Sequence, residues 1–175
     1  MKDFRLPDAT AVLSRTPATL RALLGGLPAA WLDSRERPAA WSPLEVVGHL
    51  VLAEERLWIP RVRRILEFGE EVVFEAFDRQ AHLGRTQGTS VEEVLSHFEE
   101  ARRGSLHTLS TMKLDQSSLA RRGRHPAFGP VTLKQLLAAW VAHDLTHIRQ
   151  IVRTMAREYR EAVGPWALYL EVMDE

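Results

Sequence analysis

Apolar side chains recur every three or four residues along most of the chain, which is the period of helices with one buried face. Four long segments follow this pattern. The first covers residues 8–26, and Thr16-Pro17 inside it reads as a cap followed by a first-turn proline, so the segment can divide there. The second covers residues 42–68, begins at the capping sequence Ser42-Pro43 and carries Pro60, where we expect a kink.

The third and fourth segments are longer and differ in polarity. The third begins at Thr89 or Ser90 and keeps helical spacing to Leu109, with two glutamates in its first turn, where the helix dipole favours them. Its interleaved charges predict a solvated face made of Glu92, Glu93, Glu99, Glu100, Arg102 and Arg103. The fourth runs from Thr132 to about Glu161 and is apolar on most sides, which is typical of a central helix.

The links between these segments indicate how they are arranged. Residues 69–88 form a connection long enough to cross a bundle, which allows two neighbouring helices to run parallel. Residues 121–130 carry two glycines and two prolines and are predicted to form a loop at one end of the bundle. A short helix is expected at residues 166–170, and no segment alternates as a half-buried strand does. A chain of 175 residues fits one domain, so we predict a single all-α bundle.

Composition narrows the class of protein. Apolar residues make up 45% and charged residues 26% of the chain, as in ordinary globular proteins. The formal net charge is zero, so the chain has no overall attraction to nucleic acid or to anionic membranes. The absence of cysteine excludes disulfides, a thiolate nucleophile from this chain and cysteine-ligated metals. No apolar run is long enough for a signal peptide or a membrane span, so we expect a cytoplasmic protein that acts on a small molecule.

His143 and His147 lie four residues apart in the fourth segment, so both project from one face of the helix. They interrupt a row that is otherwise apolar, made of Leu136, Trp140, His143, His147 and Ile151. Burying two imidazoles without partners is costly, and a divalent ion that accepts a lone pair from each removes that cost. His49 has a similar apolar setting and can join them if the second and fourth helices pack side by side. A histidine in such a place can also be an ordinary core residue, so spacing supports the pair more strongly than the trio.

Two carboxylates, Glu54 and Asp144, are weaker candidates for a catalytic role. Asp144 adjoins His143 but points about 100° away around the helix, which favours a packing role or the orientation of an imidazole. Glu54 and Glu55 lie one to two turns beyond His49, where we expect solvated carboxylates. The other residues of interest are expected at the surface or in loops: His82, His97, His107, His125, Arg122 and Arg124. Of these, only His125 could reach the mouth of a site.

Three stretches of the chain resemble the DinB/YfiT-like superfamily. They are residues 41–50 followed by Ala53-Glu54-Glu55, then residues 125–133 and residues 142–151, within a likeness that extends over residues 16–155. The resemblance implies a four-helix bundle with up-down-down-up topology, often assembled as a homodimer. It also implies a divalent metal held by His49, His143 and His147, three imidazoles that accept zinc, nickel, iron, manganese or copper.

The resemblance leaves the reaction open. Some members of this superfamily are thiol-dependent S-transferases or isomerases that use thiols such as bacillithiol or mycothiol, and many others are regarded as metal-dependent hydrolases. Three histidines leave an open coordination position, where an ion can lower the pKa of water or bind a thiol as thiolate. A non-catalytic dimer that uses the metal for stability or sensing is the alternative. Residues 143–147 also imitate the zincin pattern His-Glu-x-x-His, but aspartate is shorter than glutamate and the third ligand lies upstream.

Overall fold

Four helical columns form the bundle in the computed structural model, which describes residues 3–173. Two of the columns are each made of two helices, α1 with α2 and α4 with α5, and the other two are the single helices α6 and α8. The helices are α1 (Leu6–Leu13), α2 (Thr16–Leu24), α3 (Ala29–Leu32), α4 (Pro43–Arg56), α5 (Trp58–Phe68), α6 (Val91–Thr111), α7 (Gln116–Ala120) and α8 (Leu133–Arg157). Strands β1 (Arg122–His125) and β2 (Gly129–Thr132) precede α8, and 3₁₀ helices Gly164–Tyr169 and Glu171–Met173 follow it.

Reciprocal capping boxes begin three of the main helices, α4, α6 and α8. In each box the side chain of the capping residue accepts a hydrogen bond from the backbone N–H three residues later, and that residue's side chain accepts one in return. The pairs are Ser42 with Glu45, Ser90 with Glu93, and Thr132 with Gln135. The start of each helix is therefore fixed by local sequence, which sets the register of the side chains that follow.

Proline divides two of the predicted helices. The first segment separates before Thr16-Pro17, as the sequence predicts. Thr16 is the first residue of α2 and not its cap, because its hydroxyl donates to Asp144 instead. The second does not merely kink at Pro60, because α4 ends at Arg56 and α5 begins at Trp58, with Leu57 at φ −110° and ψ −62° between them. Pro60 has no N–H for the carbonyl of Arg56 and its ring crowds that carbonyl, so the break falls one turn before the proline.

The segment predicted as a loop before α8 is an antiparallel hairpin, so that part of the prediction is wrong. Arg122 lies opposite Thr132, and His125 lies opposite Gly129, which has φ +69° at the turn. Each strand has only four residues, too few for an alternating pattern to be visible in the sequence. The C-terminal end of α8 also differs from prediction, because the helix stops at Arg157 and turns follow as far as residue 163.

Contacts between the helices give their directions. The column α1–α2 runs antiparallel to α6, and α4 runs antiparallel to α8, whereas α4 and α6 are parallel. For α1–α2 and α6 the neighbours are Leu13 with Arg102 and Arg21 with Glu92. For α4 and α8 they are His49 with His147 and Glu54 with Trp140. For α4 and α6 they are Val51 with Val94 and Glu54 with Arg102. The topology is up-down-down-up, and the crossover at residues 69–90 makes the parallel neighbours possible.

The apolar core consists of two clusters along the bundle. One surrounds Trp58 and Trp140, whose rings stack 5.5 Å apart, and the other surrounds Leu50, Phe98 and Ile151. The apolar row of α8 passes from the first cluster to the second, and its two histidines lie between them. None of the helices in the described part of the chain is long and apolar enough to cross a membrane.

Candidate metal centre

Three imidazoles converge where α4 packs against α8. The Nε2 atom of His143 lies 3.2 Å from Nε2 of His49 and 3.2 Å from Nε2 of His147. One ligand nitrogen from each residue lies within 4.8 Å of the others. His49 is 1% exposed and His147 is 4% exposed, whereas His143 is half-buried and is the least buried of the three.

The three histidines are held in their neutral form. Burial, followed by repulsion from His147, lowers the pKa of His49 and of His143 from 6.5 to about 3. Burial also lowers the pKa of His147, and the positive charge of Arg79 in the crossover segment acts in the same direction on all three rings. Neutral imidazoles have a free lone pair, which is the state that binds metal ions.

Gln150 fixes the tautomer of His147. The Nδ1 atom of this histidine lies 3.0 Å from Oε1 of Gln150, one turn further along α8. An amide oxygen only accepts, so Nδ1 of His147 carries the proton and donates it. Nε2 is then left with its lone pair directed towards His143, as in histidines whose outer nitrogen is hydrogen-bonded and whose inner nitrogen binds a metal.

The spacing of the imidazoles fits a divalent ion. Two nitrogens bonded at about 2.0–2.1 Å to one ion in near-tetrahedral geometry are about 3.3 Å apart, and the two close Nε2 pairs here are 3.2 Å apart. Lone pairs that face one another at this distance repel unless a proton or a cation lies between them. The Nδ1 atom of His143 is buried without a hydrogen-bond partner among the described residues, which leaves its Nε2 as the functional end of the ring.

Aromatic rings enclose the imidazoles. The Trp41 ring centre lies 4.7 Å from that of His49, and the Trp58 ring meets that of His143 edge-on at 5.2 Å. Phe77 and His82 in the crossover segment contact the His49 ring at 5.8 and 5.3 Å. Sequence reasoning missed these neighbours because they follow no helical period. These rings shield the buried imidazoles of His49 and His147 from solvent, which strengthens electrostatic interactions there.

Glu54 and Asp144, the predicted catalytic candidates, do not contact the imidazoles through hydrogen bonds. Glu54 is not solvated as predicted, because its side chain is fully buried and Oε1 accepts from Arg102 Nη2 at 2.8 Å and Trp140 Nε1 at 3.0 Å. Asp144 accepts from both terminal nitrogens of Arg102 and from Thr16 Oγ1. Asp144 therefore packs α8 against the other columns and does not bind an imidazole directly.

Arg102 contradicts the predicted solvated face of α6, since it is only 2% exposed. It joins three columns of the bundle by donating to Glu54 of α4, Asp144 of α8 and the carbonyl of Leu13. A sequence signal was available, because Arg102 lies in a row with a three-four repeat that is otherwise apolar or small: Leu95, Phe98, Arg102, Ser105 and Leu109. The interleaved charges beside it conceal that row.

The remaining candidates lie away from the three histidines. Glu55 pairs with Arg85 and His97 at the surface, and His107 is exposed. Arg122 and Arg124 are exposed on β1, as expected. His125 stacks on Phe128 at 4.4 Å, and its Nδ1 accepts from the backbone N–H groups of Ala127 and Phe128.

Comparison with known proteins agrees with the fold described above. YfiT from Bacillus subtilis, described as a probable metal-dependent hydrolase with an unusual four-helix bundle topology, matches with a TM-score of 0.75 and 23% identity, covering 90% of this chain and 91% of that one. TT2238, a four-helix bundle protein, matches with a TM-score of 0.57 and 28% identity over 82% of this chain and 94% of that one. No curated protein matches. The model of the DinB superfamily matches residues 13–151, most of the sequence, and the chain therefore belongs to that superfamily.

Proposed function

We propose that the protein is a divalent-metal-dependent enzyme whose metal ligands are His49, His143 and His147. The observation that carries the proposal is the convergence of three neutral Nε2 atoms at two separations of 3.2 Å. The likeness to YfiT, described as a probable metal-dependent hydrolase, supports it. A divalent ion held by these ligands supplies Lewis acidity, which lowers the pKa of a water or thiol that reaches it.

The residues around the site prepare it for such chemistry. Three uncharged ligands leave the positive charge of an ion undiminished, and Gln150 holds His147 in the ligating tautomer. Three protein ligands leave at least one coordination position for a small molecule, whereas structural sites usually have four protein ligands. This ligand count favours an enzyme over the alternative of a metal-stabilised or metal-sensing bundle.

A thiol nucleophile must come from outside the chain. The sequence has no cysteine, and the buried carboxylates Glu54 and Asp144 are bound to Arg102. Two reactions are compatible with this site, hydrolysis by water and transfer to a low-molecular-weight thiol. Both are assayed with the same metal-loaded protein.

Metal content is the first test of the proposal. Purified protein is stripped with a chelator, reloaded with zinc, nickel, iron or manganese, desalted and analysed for metal. We expect about one ion per chain in the parent and a large loss in the H49A, H143A and H147A variants. H107A is the matched control, since His107 is exposed on α6 and should leave the metal content unchanged. If the three histidine-ligand variants contain as much metal as H107A, the assignment of the ligands is refuted.

Activity is the second test, and it separates the two reactions. Thiol transfer is measured as the metal-dependent consumption of bacillithiol, mycothiol or a simple thiol with a chlorinated aromatic or an epoxide. Hydrolysis is measured as metal-dependent release of product from small ester and amide substrates. If metal binds but neither reaction exceeds that of H143A, the non-catalytic alternative is favoured. A homodimer stays a prediction from the superfamily, which light scattering can check.

A further inference from the structure

A cavity lies between α5, α8 and the β hairpin. Its volume is about 470 Å³, enough for a molecule the size of a substituted benzene ring, and its walls include Trp58, Arg61, Phe74, His125, Phe128 and Ala139. None of the three clustered histidines lines it. We propose that this cavity is a binding site for a small aromatic carboxylate, with Arg61 as the partner of its anionic group.

Arg61 is a cation without a counter-charge. It is half-buried, and among the described residues no carboxylate lies within ion-pair distance of its guanidinium. Its contacts are the face of the Phe74 ring at 5.1 Å and a long hydrogen bond of 3.4 Å to the carbonyl of Glu75. Arg64, one turn along, has Glu75 as its partner instead. A half-buried guanidinium in an aromatic cavity is stabilised by an external anion, and a carboxylate fits its planar donors.

Trp58 forms a wall of the cavity beside Arg61. The residue is 4% exposed, and its Nε1–H is buried without an acceptor among the described residues. Because this N–H is not accessible to solvent, the indole ring offers the ligand an apolar surface, and Arg61 supplies the donors that select an anionic, hydrogen-bond-accepting group.

The remaining wall is apolar and aromatic. Phe74 is a buried residue of this wall, whereas Phe128 is 76% exposed at the rim and stacks on His125. An exposed aromatic ring at the mouth of a cavity can close over a flat ligand, because offset rings attract one another. The body of the ligand is therefore expected to be an aromatic ring, with its charge directed towards Arg61.

This cavity adjoins the proposed metal centre. The Trp58 ring that forms its wall also meets the His143 ring at 5.2 Å, and Ala139 lies one turn before His143 on the same face of α8. The Trp58 ring is therefore shared by the cavity and the proposed metal centre. The role of this cavity as the substrate site rests on the proposed function, whereas the binding of aromatic carboxylates does not.

Binding of phenylacetate and benzoate to the full-length protein tests the inference, with 2-phenylethanol as the uncharged comparison. Titrations are followed by NMR with metal-free protein, in buffer without carboxylate or phosphate. We expect R61Q to weaken phenylacetate binding by about tenfold or more and to leave 2-phenylethanol binding unchanged. R63Q, which removes the same charge from an exposed position of α5, should bind both probes like the parent.

A second variant distinguishes a loss of binding from a folding defect. F128A alters an exposed ring, so the core is retained, and phenylacetate binding should weaken while metal content stays the same. The inference is overturned if R61Q binds phenylacetate like R63Q, or if 2-phenylethanol binds the parent as tightly as phenylacetate. Because the probes are titrated without metal, this failure is distinct from a failure of the proposed enzyme, which the metal content of the histidine variants decides.

Discussion

Arg102 and Asp144 face each other edge to edge across the bundle, with Nη1–Oδ2 at 2.7 Å and Nη2–Oδ1 at 3.0 Å. The arginine side chain is 2% exposed and the aspartate side chain is fully buried. Two parallel hydrogen bonds fix the direction of both groups. Since Asp144 follows His143 directly, this pair also fixes the rotation of α8 and the direction in which the imidazoles of that helix point.

Removing Arg102 should therefore destabilise the protein strongly. The R102M variant retains the apolar volume but leaves the Asp144 and Glu54 carboxylates buried without their cation, and we expect a loss of about 3–5 kcal/mol. Urea unfolding of metal-free protein measures this change in the free energy of unfolding. R103M is the matched control, because Arg103 is exposed on the same helix and should cost little. Equal stabilities of R102M and R103M would show that the buried network contributes nothing.

Buried polar side chains could be predicted where a polar residue interrupts a regular apolar row of a helix. His143 and His147 stand out as polar members of an apolar row, and the structure places His49 beside them. Arg102 gives the same signal, but neighbouring charges of both signs conceal it. The hairpin and the ring of His82 could not be predicted, because their positions depend on long-range contacts of the crossover segment and on strands of four residues. Periodicity reports which residues are buried, and it does not report what they are buried against.

Metal-free protein should lose stability as the pH falls from about 6.5 towards 3. The pKa values of His49 and His143 are about 3 in the folded protein and 6.5 in the unfolded chain, so only the unfolded chain gains these two protons in that range. Each histidine is expected to cost about 1.4 kcal/mol per pH unit once the pH is below 6.5. Stability that depends on these groups is complete above pH 6.5 and decreases as acid is added.

Urea unfolding at pH 7.5, 6.5, 5.8 and 5.0 with a chelator checks this prediction, in a range in which most carboxylates are still ionised. The H143N variant removes one of the two groups and should reduce the slope clearly, although His147 and His82, whose pKa values are also lowered by burial, contribute in the same direction. A parent protein whose stability is constant from pH 6.5 to 5.0 would contradict the buried, neutral state of the imidazoles.

Gly48 allows the crossover segment to cover the metal centre. A Cβ atom at this position would lie 2.5 Å from Cγ2 of Thr86, closer than real contacts allow, and 3.7 Å from the His82 ring. The G48A variant should displace that segment and cost about 1–3 kcal/mol, although alanine favours helices over glycine. Thermal unfolding measures the cost, and G104A is the control, since nothing lies within 4 Å of a Cβ at Gly104 in α6. If G48A is as stable as G104A, the packing of Thr86 over α4 is not tight.

Glu54 should be replaceable by glutamine without loss of metal or of any metal-dependent activity. Its Oε1 accepts from Arg102 and Trp140, which a glutamine amide oxygen can also do, and burial raises the pKa of this carboxyl despite the opposing effect of Arg102. E54Q and E54A are compared by metal content, urea unfolding and the turnover assays at several pH values. E54A should be destabilised by about 2 kcal/mol or more, because it leaves Arg102 and the Trp140 N–H with one acceptor fewer. If E54Q instead folds with full metal content and loses activity with an altered pH profile, Glu54 transfers a proton in the reaction and its role is not confined to binding Arg102.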